Sequence, residues 1–348
     1  MKLDMHDIFE HQKVKLNTDK QDLQGKTLLI TGANAEADKV LNDSLLKGIG
    51  LESAKQLAHM NPSKIILACR NMTTAEEAIK AIKASGFDNI EAWHLDQDSF
   101  ASVKAFTKKY NDSGLDLHLL LANAGKLPMK SGTGFELSAD GHESIIETNH
   151  LGAALLTFGL LHAVRRTAAK ATEERLIPRI VIVASDVHYV TEFKISQNEG
   201  NIIKAFDDPK NWTDTFSRYM DSKLLNVFFA QELAIKIKQS KVPEDSKIVV
   251  SSCNPGIVMS KEMAKDEASI IPAPFRAVAR DFPEGCQTHL FASIDPSAGK
   301  PGDSHFYHNC KATETADITL GEQGDALRER VWRDTLKVLG VTEQELLL

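Results

Sequence analysis

The stretch TLLITGAN, residues 27–34, decides the fold. Its first five residues, Thr27 to Thr31, are apolar or β-branched and have the length of a buried strand. The strand runs into Gly32, where a backbone can turn sharply and approach a ligand closely. A strand, a glycine-rich turn and a helix together cradle a pyrophosphate, because the helix N-terminus supplies amide donors and a favourable dipole. Here the helix does not follow at once. Gly48-Ile49-Gly50 and LESAKQLAHM (51–60) would finish the turn and begin the helix, but AEADKVLNDSLL (35–46) intervenes. Without those twelve residues the chain would read TGANKGIGLESA. Either the insert loops out and the halves meet in space, since lengthening a loop costs little, or it spoils the cradle. On the first reading Gly32, Asn34, Gly48, Ile49 and Gly50 hold the phosphates.

Outward from this strand, apolar runs of strand length alternate with amphipathic segments of helix length. The runs are KIILAC (64–69), IEAWHL (90–95), LHLLLA (117–122), RIVIVAS (179–185) and KIVVSSC (247–253). Between them, EEAIKAIKAS, SVKAFTKKY, HESIIETNHLGAALLTFGLLHAVRRT and SKLLNVFFAQELAIKIKQ carry apolar residues at helical spacing. Strand–helix–strand order predicts a parallel sheet buried on both faces, with right-handed crossovers placing helices on both sides. The alternation runs without a linker. The reading is therefore α/β: a single doubly wound, Rossmann-type domain over residues 25–348, preceded by an N-terminal extension, 1–24. The part after Cys253 is more irregular and reads as a C-terminal segment capping the substrate. Residues 190–213 and 259–283 are expected to wall the pocket. Ile257, Met259, Met263, Ile270, Ile271 and Phe275 suit a moderately large lipophilic molecule.

Composition narrows the function classes. With 42% hydrophobic and 26% charged residues the chain has the balance of a globular domain. A net charge of -7 and no basic run give nucleic acid no face to bind. No apolar run reaches the roughly 20 residues of a membrane span, and MKLDMHDIFEHQKVKLNTDKQDLQGK contains no signal-peptide core. Cys69, Cys253, Cys286 and Cys310 form no CxxC pair and read as reduced thiols. A cytoplasmic protein with a small-molecule partner is expected. No HExxH occurs, and His142 and His150 lack a metal-site carboxylate pattern, so no catalytic metal is expected. His150 and His188 read as structural.

The chemistry centres on Tyr219 and Lys223, which are four residues apart and share a helix face. A free tyrosine has a pKa of about 10 and is a poor base at neutral pH. A neighbouring ammonium is expected to lower that pKa. Tyr219 can then pass a proton to a carbonyl oxygen or take one from an alcohol. Ser185 ends the RIVIVAS run, at the sheet edge where doubly wound folds bind ligands, and its hydroxyl can hold a substrate oxygen. Lys47 precedes Gly48. Arg70 follows the second strand, where an acidic residue would instead hold a ribose 2′-hydroxyl. Two cations suit a 2′-phosphate and predict NADP(H) as cofactor.

These residues sit inside a longer series: GKTLLITGAN, LACRN (67–71), LDQDSFASV (95–103), LLLANAG (119–125), ETNHLGAALLT (147–157), RIVIVASDVH (179–188), YMDSKLLNVFFAQELA (219–234), NPGIVMS (254–260), PEGCQTHLFAS (283–293) and HFYHNC (305–310). In that order the chain resembles the short-chain dehydrogenases/reductases. The likeness is nearest to the retinol-dehydrogenase-like and WW-domain-oxidoreductase-like branch and its fungal relatives, without a WW domain. The resemblance implies catalytic roles for Ser185, Tyr219 and Lys223. It implies that Asn149 supports the lysine through a water and helps kink its helix. It places Asp96 at the adenine amino group, Asn123, Ala124 and Gly125 at the adenosine half, and Pro255, Gly256 and Val258 beside the nicotinamide, with Tyr219 and Lys223 also touching the cofactor. Ala184 stands where relatives often carry a second serine. A homodimer through the long helices is a further implication. The expected activity is NADP(H)-dependent interconversion of a carbonyl and an alcohol. The split glycine motif keeps a second reading open, a catalytically impaired NADP-binding regulator on the same fold.

Overall fold

The structure is a computed structural model and describes residues 3–33, 48–127, 134–173, 176–259, 263–265, 269 and 271–348. Its eight strands form one sheet: β1 (Thr27–Thr31), β2 (Lys64–Cys69), β3 (Ile90–His94), β4 (Leu119–Ala122), β5 (Arg179–Val183), β6 (Val249–Asn254), β7 (Ser304–His308) and β8 (Lys311–Thr313). Their order is β3-β2-β1-β4-β5-β6-β7-β8, and all pairs but the last are parallel. The strand order reverses between β1 and β4, which opens a ligand crevice at the C-terminal strand ends. Strand β1 is buried at every position, because helices cover both faces. That explains an unbroken LLI in place of an alternating pattern.

The helices are α1 (Met5–Gln12), α2 (Ile49–Ala58), α3 (Met72–Ala84), α4 (Phe100–Asp112), α5 (Ser144–Ile146), α6 (Gly152–Lys170), α7 (Ile202–Ala205), α8 (Thr215–Gln239), α9 (Ala273–Ala277), α10 (Phe282–Gly285), α11 (Gln287–Ile294), α12 (Gly321–Leu339) and α13 (Glu343–Leu346). Successive strand residues point to opposite faces. Leu28 and Ile30 join Leu51, Leu57, Ala78 and Leu290 in one apolar layer, with α2, α3 and α11. Leu29 joins Phe106, Leu156, Phe228 and Trp332 in the other, with α4, α6, α8 and α12. Side-chain caps fix where helices begin: Asn71 accepts from the Thr73 and Thr74 amides, Ser99 from Ser102, and Asp214 from Ser217.

The part after Cys253 is more than a cap. It adds β7 in parallel and then β8 in antiparallel through Asn309 and Cys310, whose φ values of 52° and 56° suit a tight two-residue hairpin turn. Within 190–213, Phe193, Ile202, Ile203 and Phe206 are buried in the layer that includes α12. The 1–24 extension packs against the domain. Leu23 bonds to the Met60 carbonyl, and α1 docks at the C-terminal strand ends through Gln12, whose amide exchanges two hydrogen bonds with the backbone of Ile257.

Helix α12 lies on the two long helices. Trp332 meets Phe158 of α6 edge-on at 5.3 Å and stacks on Phe229 of α8 at 5.9 Å. Arg328 pairs with Glu232, and Thr335 bonds to His150. A homodimer built through the face of α6 and α8 that carries α12 would have to displace this helix. No helix among the described residues is long and apolar enough to cross a membrane.

Candidate active site

The two ends of the split glycine motif meet in space. Gly32 has a φ of 65°, and a Cβ there would fall 2.7 Å from the Ala124 Cα. A Cβ on Gly50 would fall 2.4 Å from the Asn123 amide nitrogen and 2.7 Å from the Gly32 carbonyl. Only glycine fits at either place. Asn123 ties the turn together by donating to the carbonyls of Thr31 (2.9 Å) and Gly32 (3.3 Å), while the Ala124 amide donates to the Thr31 hydroxyl. Helix α2 begins at Gly48 with no side-chain cap, which leaves its first amides for an anion. Ile49 is half-buried in the first turn. Asn34, Lys47 and the 35–46 insert lie outside the described residues.

Farther along the crevice, Arg70 is exposed at the end of β2. Asp96 follows β3 in a turn held by two hydrogen bonds: its amide donates to the Ser102 hydroxyl, and its carboxylate accepts from the Asp98 amide. These residues, with Gly125 after β4, occupy the strand ends at which the sequence placed the adenosine half.

Ser185, Tyr219, Lys223 and Asn149 converge beyond β4 and β5. Ser185 is extended and caps the short 3-10 turn Asp186–Tyr189, accepting from the Val187 amide, so it is both a cap and an edge hydroxyl. Tyr219 is half-buried on α8. Lys223 is buried one turn on, with its Nζ 5.5 Å from the Tyr219 ring centre and 3.0 Å from the Val183 carbonyl, to which it donates. A Cβ on Gly125 would lie 3.4 Å from both the Lys223 Nζ and the Asn149 Oδ1, which places strand end, lysine and asparagine side by side.

Asn149 lies in a π-helical turn, Glu147–Leu151, between α5 and α6. Such turns reset a helix and occur at functional sites. The Asn149 amide donates to the Lys126 carbonyl (3.1 Å) and to the Ser222 hydroxyl (2.9 Å), and Ser222 donates to the Tyr219 carbonyl. Asn149 thus braces the turn that carries Tyr219 by direct bonds.

The expected electrostatics reverse at one point. The sequence predicts that Lys223 lowers the Tyr219 pKa. In the structure burial raises it first, the Asp186 carboxylate raises it further, and the Ser185 hydroxyl acts in the opposite, weaker sense. The ammonium is turned onto the Val183 carbonyl, and burial pushes Lys223 itself down to about 8.

The loop after β6 carries Pro255, Gly256 and Val258. Val258 is wedged against Gly285, where a Cβ would fall 2.4 Å from a Val258 methyl. Arg280 pairs with the loop backbone: its amide donates to the Ile257 carbonyl, and the Met259 amide donates to the Arg280 carbonyl. Ile271 is buried, and Phe275 meets Phe9 of α1 edge-on at 5.8 Å. Ile270 and the Met263 side chain lie outside the described residues. Three residues at this end went unread in the sequence: Gln12, Arg280 and Asp186. Gln12 and Arg280 act through contacts 245 to 269 residues away, which no local pattern signals. His188 donates to or accepts from neighbours at both nitrogens, Ser185 and Ala316, and His150 is tied to Thr335. His142 pairs with Asp207 at 2.9 Å.

A family model for short chain dehydrogenases matches residues 44–190, starting inside the insert and so after the first half of the glycine motif. A short chain dehydrogenase of Arthrobotrys oligospora is 30% identical over 336 residues, which cover 91% of this chain and 92% of that one. The chain belongs to the short-chain dehydrogenase/reductase family. The WW domain-containing oxidoreductase of Gallus gallus is 27% identical, covering 85% of this chain and 65% of that protein. Among solved structures, an uncharacterized protein from Mycobacterium paratuberculosis superposes with a TM-score of 0.62 at 20% identity, covering 93% of this chain and 96% of that one. A short chain dehydrogenase from Escherichia coli CFT073, complexed with NADPH, gives 0.56 at 18% identity and covers 83% and 99%. The short-chain dehydrogenase/reductase fold therefore accounts for the sheet order, and the family makes the protein an oxidoreductase that uses a nicotinamide cofactor.

Proposed function

We propose that this short-chain dehydrogenase/reductase interconverts a carbonyl and an alcohol on a lipophilic small molecule, using NADP(H), with Tyr219 as general acid and base. The observation that carries this reading is the convergence of Ser185, Tyr219, Lys223 and Asn149 at the sheet edge beside a glycine cradle that a single Cβ would fill. Gly32, Gly50 and the uncapped start of α2 fit a pyrophosphate. Arg70 and Lys47 supply charge for a 2′-phosphate, and the complex of the Escherichia coli relative with NADPH points the same way. The free thiols of all four cysteines agree with a cytoplasmic setting.

Bound NADP(H) supplies or accepts the hydride. Ser185 holds the substrate oxygen, and Tyr219 gives that oxygen a proton in reduction or removes one in oxidation. Lys223 keeps a positive charge beside the phenol, and Asn149 braces the Tyr219 turn through Ser222. The apolar wall comes from Met259, Ile271 and Phe275, with Phe9 of the N-terminal helix behind Phe275. The test is NADPH consumption over a panel of lipophilic ketones and aldehydes, beside direct titration of NADPH and NADH. Tight NADPH binding with no turnover of any carbonyl would favour the regulator reading instead.

The parent is expected to prefer NADPH, and Arg70→Ala combined with Lys47→Ala to erode that preference. Each lost charge-assisted bond costs about 1.5–3 kcal/mol, or roughly 10- to 100-fold in affinity. Equal affinity of the parent for NADPH and NADH in the titration would remove both residues from the 2′-phosphate.

Deleting residues 35–46 is expected to tighten NADPH binding. The insert carries Glu36, Asp38 and Asp43 against the single base Lys39. At ~8 Å and an effective dielectric of ~20, each carboxylate facing a phosphate charge costs about 2 kcal/mol before screening. Because Gly32 and Gly50 already touch, the shortened turn has little distance to close. Loss of binding or of folding on deletion would make the insert an integral part of the site.

A further inference from the structure

Before the chain enters β1, residues 3–18 pass the C-terminal ends of β5 and β6, anchored on both sides. Leu3 is buried in a cluster with Ala184, Tyr189 and Phe306, and Thr18 bonds to Gln287 through both its amide and its hydroxyl. Between these anchors lies α1, which at eight residues is too short to hold its shape alone. A buried cation meets the carbonyls at its C-terminal end, where positive charge is favourable. Arg280 is 3% exposed, and its Nη2 donates to the carbonyls of His11 (2.9 Å) and Val14 (3.2 Å) and to the Asn309 Oδ1 (2.8 Å). Asn309 in turn donates to the His11 carbonyl at 3.0 Å.

The same arginine grips the loop after β6. Its Nη1 donates to the Pro255 carbonyl at 3.1 Å. Its backbone pairs in parallel with Val258, donating to the Ile257 carbonyl (2.9 Å) and accepting from the Met259 amide (3.0 Å). Gln12, the last residue of α1, is 5% exposed; it accepts from the Ile257 amide at 3.1 Å and donates to the Ile257 carbonyl at 3.4 Å. Gly256 has a φ of 79°, and a Cβ there would fall 2.4 Å from the Gln12 Oε1 and 2.6 Å from the Arg280 Nη1. The helix and the guanidinium therefore close on the same point of the loop.

This arrangement leaves one pair of backbone groups over. In a parallel pairing Arg280 bonds the residues on either side of Val258, so the amide and carbonyl of Val258 itself face away from it. Neither has a hydrogen-bond partner among the described residues. A donor and an acceptor on one strand edge complement a primary carboxamide, the group that nicotinamide carries.

We propose that the N-terminal helix is part of the cofactor site, and that Gln12, together with Arg280, is a positioning residue that presets the loop after β6 for the nicotinamide half of the cofactor. This rests on the reading that sets Val258 beside the nicotinamide. A loop containing a glycine has many conformations to lose. Gln12 and Arg280 order it during folding, so the cofactor does not have to order it at binding. The adenosine half lies at the ends of other strands and does not depend on them.

The test titrates the full chain with NADPH and with 2′-phospho-ADP-ribose, which lacks the nicotinamide. Gln12→Met keeps the length of the side chain and removes the bonds to Ile257. It is expected to weaken NADPH about tenfold and the fragment by less than about twofold. A merely structural loss would weaken both ligands alike. That result, or an unchanged affinity for NADPH, overturns the proposal. Should Gln12→Met not fold, Gln12→Ala removes the same bonds and is read the same way. Equal affinity of the parent for the two ligands, or no binding of either, would remove the nicotinamide from Val258 and overturn the underlying reading with the proposal. A parent that favours NADPH, with a variant that keeps the same preference, overturns the proposal alone. If the parent binds NADH more tightly than NADPH, ADP-ribose serves as the fragment and the outcomes are read in the same way.

Discussion

Tyr219→Phe is expected to lower carbonyl turnover by roughly 10²- to 10⁴-fold, the usual worth of a positioned acid or base, with NADPH affinity nearly unchanged. The phenol is needed only as charge develops on the substrate oxygen, so its loss falls on kcat and not on the ground state. The ring itself is half-buried, and its turn is braced through the backbone by Ser222 and Asn149, which phenylalanine leaves intact. The measurement is steady-state kinetics with a validated carbonyl substrate, beside a cofactor titration. Turnover within a few-fold of the parent would remove Tyr219 from the mechanism.

Trp332→Ala is expected to cost about 3–5 kcal/mol of stability. Trp332 is 3% exposed, lies against Phe158 and Phe229, and donates to the Glu343 carboxylate at 2.7 Å. Truncation would empty a space among rigid rings on two helices that cannot easily close it. In urea the unfolding midpoint should fall with little change in slope. A cost below about 1 kcal/mol would mean that α12 does not clamp α6 and α8 as the ring contacts indicate.

The parallel sheet was readable because β1, β2, β4, β5 and β6 are strand-length runs buried on both faces, which removes any need for alternation, while β3 at the edge is exposed at Glu91 and His94. β7 and β8 were harder. HFYHNC carries only part of an apolar run, and its hairpin rests on Asn309 and Cys310 adopting positive φ, which asparagine favours but cysteine does not. In 190–213, Phe193, Ile202, Ile203 and Phe206 are packed into the core. Composition reports that a residue will be buried, not what will bury it, and here the cover is α12, more than a hundred residues downstream.

The strand-to-glycine turn, the shared helix face of Tyr219 and Lys223, and Ser185 at a strand end were legible from residue order alone. Each depends on spacing within one element, where helix and strand periods fix direction. Packing across the whole chain brings Gly32 against Gly50 on either side of the insert and closes α1 onto Ile257 through Gln12. It also decided the sign of the Tyr219 shift. Sequence spacing gives the nearest charge along the helix, whereas a pKa answers to every group that burial brings close, and burial is a property of the packed whole.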